Sequence, residues 1–125
     1  MVTLLDECLE VLNDYEKIED ENHKKLEIKF HSLVKFTSWG RINWDILKDN
    51  TIIDDIEKLK KNYGSLNFYI IWGEIDLPII KCEFSNIIDN LDDVLAVSFD
   101  TWLLSYDKKI VIEFYHDGEI TVGRL

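Results

Sequence analysis

Apolar residues recur at spacings of three and four from the start of the chain. Leu5, Cys8, Leu12 and Tyr15 form a helical stripe that Leu4, Leu9 and Ile18 widen. Thr3 is placed to cap this helix, with Asp6 at its third position and Glu7 near the positive end of the dipole. The pattern breaks at residues 20–22. Over residues 24–36 two periods overlap: Leu26, Ile28 and Phe30 alternate as in a strand, whereas Leu26, Phe30, Leu33 and Val34 keep helical spacing. Helix is the preferred assignment, with strand as the alternative. Trp39-Gly40-Arg41-Ile42-Asn43-Trp44 reads as a turn-bearing connection with two aromatic anchors. Asn50 or Thr51 then predicts the cap of a further helix carrying Ile53, Ile56, Leu59, Lys60 and Tyr63, with Gly64 as its stop.

Beyond Gly64 the period shortens. Residues 67–72 and 79–84 are rich in β-branched and aromatic types and flank Gly73-Glu74-Ile75-Asp76-Leu77-Pro78, which predicts a hairpin with a longer loop. Ser85 is placed to cap a short helix bearing Ile88, Leu91 and Leu95. Three strands follow at residues 97–105, 109–116 and 119–123. Asp117-Gly118 between the last two favours the left-handed backbone of a tight turn. The predicted class is α+β: N-terminal helices packed on an antiparallel sheet of about five strands ending in a three-stranded meander. Residues 1–125 read as one unit without repeat or linker, long enough for a hydrophobic core.

Alternation assigns faces to the last strands. Ile110, Ile112 and Phe114 point one way, with Phe99, Thr101 and Leu103 of the preceding strand, and look like core. The other face carries Val111, Glu113 and Tyr115 beside Asp100, Trp102 and Leu104. Trp and Tyr among acids is an interface composition, because aromatics supply desolvated contact area and carboxylates pair with Arg or Lys. Trp72, Glu74 and Asp76 at the hairpin tip extend it. The expected partner-binding set is therefore Trp72, Glu74, Asp76, Asp100, Trp102, Glu113 and Tyr115. The competing expectation is that the first helix covers this face, burying Trp102 and leaving Glu113 at the rim.

Charge sharpens the picture. The chain holds 25 Asp and Glu against 14 Lys and Arg, a net −11. The excess falls in the first 25 residues and again after residue 63, with near balance between. Such a field repels nucleic acid and anionic lipid and steers a basic partner inward. With 46% apolar and 12% aromatic residues the chain is not a disordered acidic tail. No apolar run approaches the roughly 18 residues that span a bilayer, and the early acids do not resemble a secretory leader. Cys8 and Cys82 form no spacing pattern and read as small buried hydrophobes of a reducing cytosol.

Catalytic and metal signatures are not found. His23, His31 and His116 lack zinc spacing, the serines lack a nucleophile elbow, and the five glycines are isolated, so no phosphate loop forms. His116 beside Asp117 could be a base and its orienter, but a surface histidine is the simpler account. Asp89, Asp92 and Asp93 miss calcium-loop spacing. Lys58, Lys60 and Lys61 read as a solvated helix face. No catalytic residue, metal site or cofactor is expected.

Ser98-Phe99-Asp100-Thr101-Trp102, then Val111-Ile112-Glu113-Phe114-Tyr115-His116-Asp117-Gly118-Glu119-Ile120 and Val122-Gly123, with Trp39-Gly40 and Trp72-Gly73 in support, resemble a bacterial immunity protein. The type is the one encoded beside contact-dependent growth inhibition toxins. The resemblance implies a cytoplasmic protein that binds one cognate toxin domain one-to-one and occludes its active site. Such toxin domains are often nucleases and commonly basic. Interfaces differ between cognate pairs, so no family residue is carried over. Neither nucleic acid nor membrane is an expected direct partner. The alternative is an acidic protein-binding module, an adaptor or nucleic-acid mimic, for another basic protein.

Overall fold

The computed structural model describes residues 2–47, 49–74 and 76–125. Helix α1 (Leu4–Val11) starts at Thr3 as its sequence predicts. The Thr3 hydroxyl accepts from the Asp6 amide at 3.1 Å, and the Asp6 carboxylate accepts from the Thr3 amide at 3.0 Å. These bonds hold the Asp6 carboxyl below the usual carboxylate range. Strand β1 (Glu16–Ile18) lies between two left-handed aspartates, Asp14 at φ 51° and Asp20 at φ 55°. Asp enters that region more readily than most residues, since its short polar side chain can bond locally. Helix α2 (Asp20–Leu33) settles the ambiguous stretch as helix, with Phe30 buried.

Two expectations fail next. Residues 50–53 are strand β2 (Asn50–Ile53), not the start of a helix. The β-branched run Thr51-Ile52-Ile53 suits a pleated surface, and the Asn50 amide donates back to the Leu47 carbonyl at 2.7 Å rather than capping forward. Helix α3 is only Glu57–Tyr63, with the Asp55 carboxylate accepting from the Glu57 amide at 3.1 Å. Strands β3 (Asn67–Ile71) and β4 (Ile79–Glu83) form the expected hairpin; Ile75 of its loop lies outside the described residues. Helices α4 (Phe84–Asp89) and α5 (Leu91–Leu95) follow, and Ser85 caps neither. Its hydroxyl donates instead to the Gly64 carbonyl at 2.7 Å.

The meander is strands β5 (Thr101–Ser105), β6 (Ile110–Phe114) and β7 (Ile120–Arg124). β5 starts at Thr101, four residues later than expected, so Phe99 is 88% exposed rather than core. Among the described residues all the strands join one antiparallel sheet of seven, ordered β1-β4-β3-β5-β6-β7-β2. The two strands beyond the five expected, β1 and β2, are its outer edges. The α+β class holds.

Both faces of the sheet are covered. Phe68, Ile70, Cys82, Leu103, Ile110, Ile112 and Phe114 pack with Cys8 of α1 and Ile87 and Ile88 of α4, and with partly buried Leu59 of α3 and Leu95 of α5. Ile71, Trp102, Leu104 and Val111 pack on the opposite side with Phe30, Val34 and Ile42. That layer is α2 and the chain that follows it, not α1. Its approach to the sheet is close. A Cβ on Gly123 would lie 2.4 Å from Cζ3 of Trp44, so only glycine lets the indole rest on β7.

Candidate partner-binding surface

Glu113 is the middle of the second layer. It sits on β6 directly across from Trp102 of β5, and its side chain has no solvent exposure. A carboxylate buried among Val, Trp and Ile is costly unless several donors surround it. Five hydrogen bonds do so. Oε1 accepts from Arg41 Nε (3.2 Å), Arg41 Nη2 (3.1 Å) and Trp44 Nε1 (3.1 Å). Oε2 accepts from the Ile42 amide (2.6 Å) and Trp102 Nε1 (3.1 Å). Four of the five donors come from residues 41–44, so one buried carboxylate ties the 36–44 turn to the sheet. The isolated bridge between Phe36 and Ile42 closes that turn.

Arg41 also reaches outward. Its Nη2 donates to Glu119 Oε1 at 2.8 Å, and its guanidinium lies 4.6 Å from the centroid of Tyr115. Partial burial opposes its charge, but the hydrogen bonds and charges of Glu119 and Glu113 outweigh this and raise its pKa above the ordinary arginine value. From Tyr115 an unbroken series of contacts runs along the end of the sheet. The Tyr115 and His116 rings meet at a tilt with centroids 4.2 Å apart, and His116 meets Phe99 edge-on at 6.4 Å. The Asp100 carboxylate accepts from the His116 amide at 2.8 Å and lies 3.0 Å from Nδ1. Ser98 donates to the Glu74 carboxylate. Trp39, 69% exposed, stands at the tip of the turn that Glu113 anchors.

The seven expected site residues therefore separate into two layers. Glu74, Asp76, Asp100 and Tyr115 lie at the exposed or half-exposed rim. Trp72, Trp102 and Glu113 are buried. Trp72 donates its indole N–H to the Val94 carbonyl at 2.9 Å, and Trp102 is 6% exposed, packed edge-on to Phe36. For Trp102 and Glu113 the cause is α2 and the 34–47 chain, which cover the face that alternation left open. Trp72 is buried on the other face, in the layer that holds Val94 of α5. Trp39, Arg41, Phe99, His116 and Glu119 were not among the expected residues. The Asp-Gly turn between β6 and β7 was the available signal for His116 and Glu119, since it returns both to the end that holds Tyr115.

His116 is paired with Asp100, not with its neighbour Asp117, whose carboxylate accepts from the Glu119 amide at 2.8 Å. Among the described residues no hydroxyl or thiol is bonded to His116 Nε2, and no group of three or more His, Cys, Asp or Glu converges as a metal site. No described helix is long and apolar enough to cross a membrane.

The rim is an acidic, aromatic surface beside the buried carboxylate anchor. The family described as CdiI immunity protein EcoliA0-like has a sequence model that matches residues 2–123. The chain belongs to that immunity-protein family, and membership implies neutralisation of a cognate toxin by binding it. No curated protein sequence matches the chain.

Proposed function

We propose that this protein acts in the cytoplasm as one domain that binds its cognate toxin one-to-one and occludes the toxin's active site. The contact surface is the rim of Trp39, Glu74, Asp76, Phe99, Asp100 and Tyr115, and the toxin domain is a basic nuclease. The single observation behind this reading is a pair of exposed aromatics near carboxylates: Trp39, which lines one cleft with Glu119, and Phe99, which meets His116 beside Asp100. A nuclease must be positive where it holds phosphate, and rim carboxylates can fill those positions. Charge steers the encounter, while buried aromatic area slows dissociation. Trp102 and Glu113 serve from beneath, as supports of the turn rather than as contacts.

The test is co-purification with the C-terminal domain of the toxin encoded beside it, followed by calorimetry. Trp39→Ala and Phe99→Ala should each weaken binding by about 30-fold or more while leaving the melting temperature within about 2 °C of the parent. Glu10→Ala on α1 should leave binding unchanged. Absence of a complex at micromolar concentration, or equal losses in all three variants, would refute the assignment of this surface.

A further inference from the structure

The opposite end of the molecule carries a feature that an acidic inhibitor does not require. Between α2 and strands β1, β4 and β3 a groove of about 500 Å³ opens. Its floor is Tyr69 of β3 and Lys81 of β4, paired across the two strands. One wall is α2, with Asn22, Lys25 and Lys29, and the other is Tyr106 from the turn after β5. That volume lies within the usual range for small-molecule sites, roughly 300–1,000 Å³.

The groove gathers basic side chains, three lysines against Glu16, in a chain where acids outnumber bases by 25 to 14. Two lysines outside it form ion pairs, Lys17 with Glu19 and Lys60 with Asp89. Among the described residues, no carboxylate oxygen lies within 4.0 Å of the ammonium of Lys25, Lys29 or Lys81. Glu16, the one carboxylate that lines the groove, stands opposite Lys81 in the strand register and makes no such pair. Instead Lys29 Nζ lies 5.1 Å from the Tyr106 centroid and Lys81 Nζ 5.8 Å from that of Tyr69. Three lysines from two elements thus line one concave space beside two tyrosine rings.

We infer that this groove is a binding site for a small phosphate-bearing anion with an aromatic ring, of the size of a nucleoside diphosphate. The lysines supply charge-assisted donors to phosphate oxygens, the tyrosine rings supply flat area for a base, and the Asn22 amide can read a base or ribose edge. The turn bearing Tyr106 and the turn bearing His116 lie at opposite ends of β6, a separation of about 17 Å. The groove is therefore distinct from the rim, and the inference stands independently of the toxin assignment.

Isothermal titration of the full chain with ADP, GDP, CDP and UDP, and with inorganic pyrophosphate, tests it at physiological salt. At least one nucleoside diphosphate should bind with a Kd below about 1 mM and more tightly than pyrophosphate. Lys29→Gln and Lys81→Gln should each lower that affinity about tenfold, one charge-assisted bond apiece. Lys58→Gln with Lys61→Gln on α3 should leave it unchanged. These substitutions are at solvated positions, and unchanged thermal melting verifies that each variant folds. No heat from any of the five compounds at about 1 mM, pyrophosphate binding as tightly as every diphosphate, or an equal loss in the α3 control would each overturn the inference.

Discussion

Replacing Glu113 by Gln changes one oxygen to an NH2 group and almost nothing in volume. Its effect follows from the five donors around the carboxylate. If the new NH2 takes the place of Oε1, it confronts both Arg41 N–H groups and the Trp44 indole. If it takes the place of Oε2, it confronts the Ile42 amide and the Trp102 indole. The second orientation is the milder, and it still leaves two buried donors facing a third. Each unsatisfied buried donor costs about 1–3 kcal/mol. Arg41 also loses its buried counter-charge and keeps only Glu119, which is partly exposed. Breaking a buried ion pair by removing one partner costs about 3–5 kcal/mol, so a loss of about 3–5 kcal/mol is expected overall. That is a large fraction of the roughly 5–15 kcal/mol that holds a domain folded. Urea unfolding with linear extrapolation measures it, and the melting temperature should fall by about 12–20 °C. Glu119→Gln, which alters only the outer contact of Arg41, should cost about 1 kcal/mol or less. A Glu113→Gln loss below about 1 kcal/mol, or one no larger than that of Glu119→Gln, would refute the claim that this carboxylate organises the second layer.

Other substitutions probe separate parts of the fold. Trp102→Ala should lower stability by about 3–5 kcal/mol in chemical unfolding, because the indole is packed and bonded inside the second layer. Gly123→Ala places a methyl against Trp44 and should cost about 1–3 kcal/mol by the same assay. Burial pushes the Cys8 thiol up to about 11 and the Cys82 thiol upward as well, so neither is ionised at pH 8. A disulfide-exchange reagent should react with them only after denaturant is added. Asp6 gains its hydrogen bonds as a carboxylate, so its contribution is present above the unfolded carboxylate range and lost as pH falls through its lowered folded value. Asp6→Asn should flatten that acid limb of the pH–stability curve slightly.

Local signals were legible in the sequence and long-range ones were not. Thr3 and Asp6 announce their own capping box because the partners are three residues apart. Asp117-Gly118 likewise announces its turn, and the alternation over residues 110–114 identifies β6. What covers the second face depends on where α2 docks, and no local period encodes that. The clue was Glu113 itself, one charge inside an otherwise apolar strand. Such a residue is either exposed or surrounded by donors, and the donors lie 69–72 residues earlier in the chain at Arg41, Ile42 and Trp44. β2 was missed because Ile53, Ile56, Leu59 and Tyr63 keep helical spacing across a strand, a loop and a short helix. The β-branched run at its start outweighed that period.

The strand order has a consequence for how the protein is made. β1 and β2 leave the ribosome early, yet they are the outer strands, and their partners are β4 and β7. β2 waits for residues 120–123, the last strand of the chain. Glu113 waits in reverse: its donors are synthesised long before it and have nothing to bind until it emerges. At about 5–20 residues per second, the first half of the chain remains without its sheet for several seconds, and completion comes from the C-terminal end. Removing residues 120–125 would strip the partner from β2 at residues 50–53, while Glu113 would still hold the turn that presents Trp39. The edge strand β2 and the turn at residues 36–44 are therefore completed only once β7 and β6 have been made.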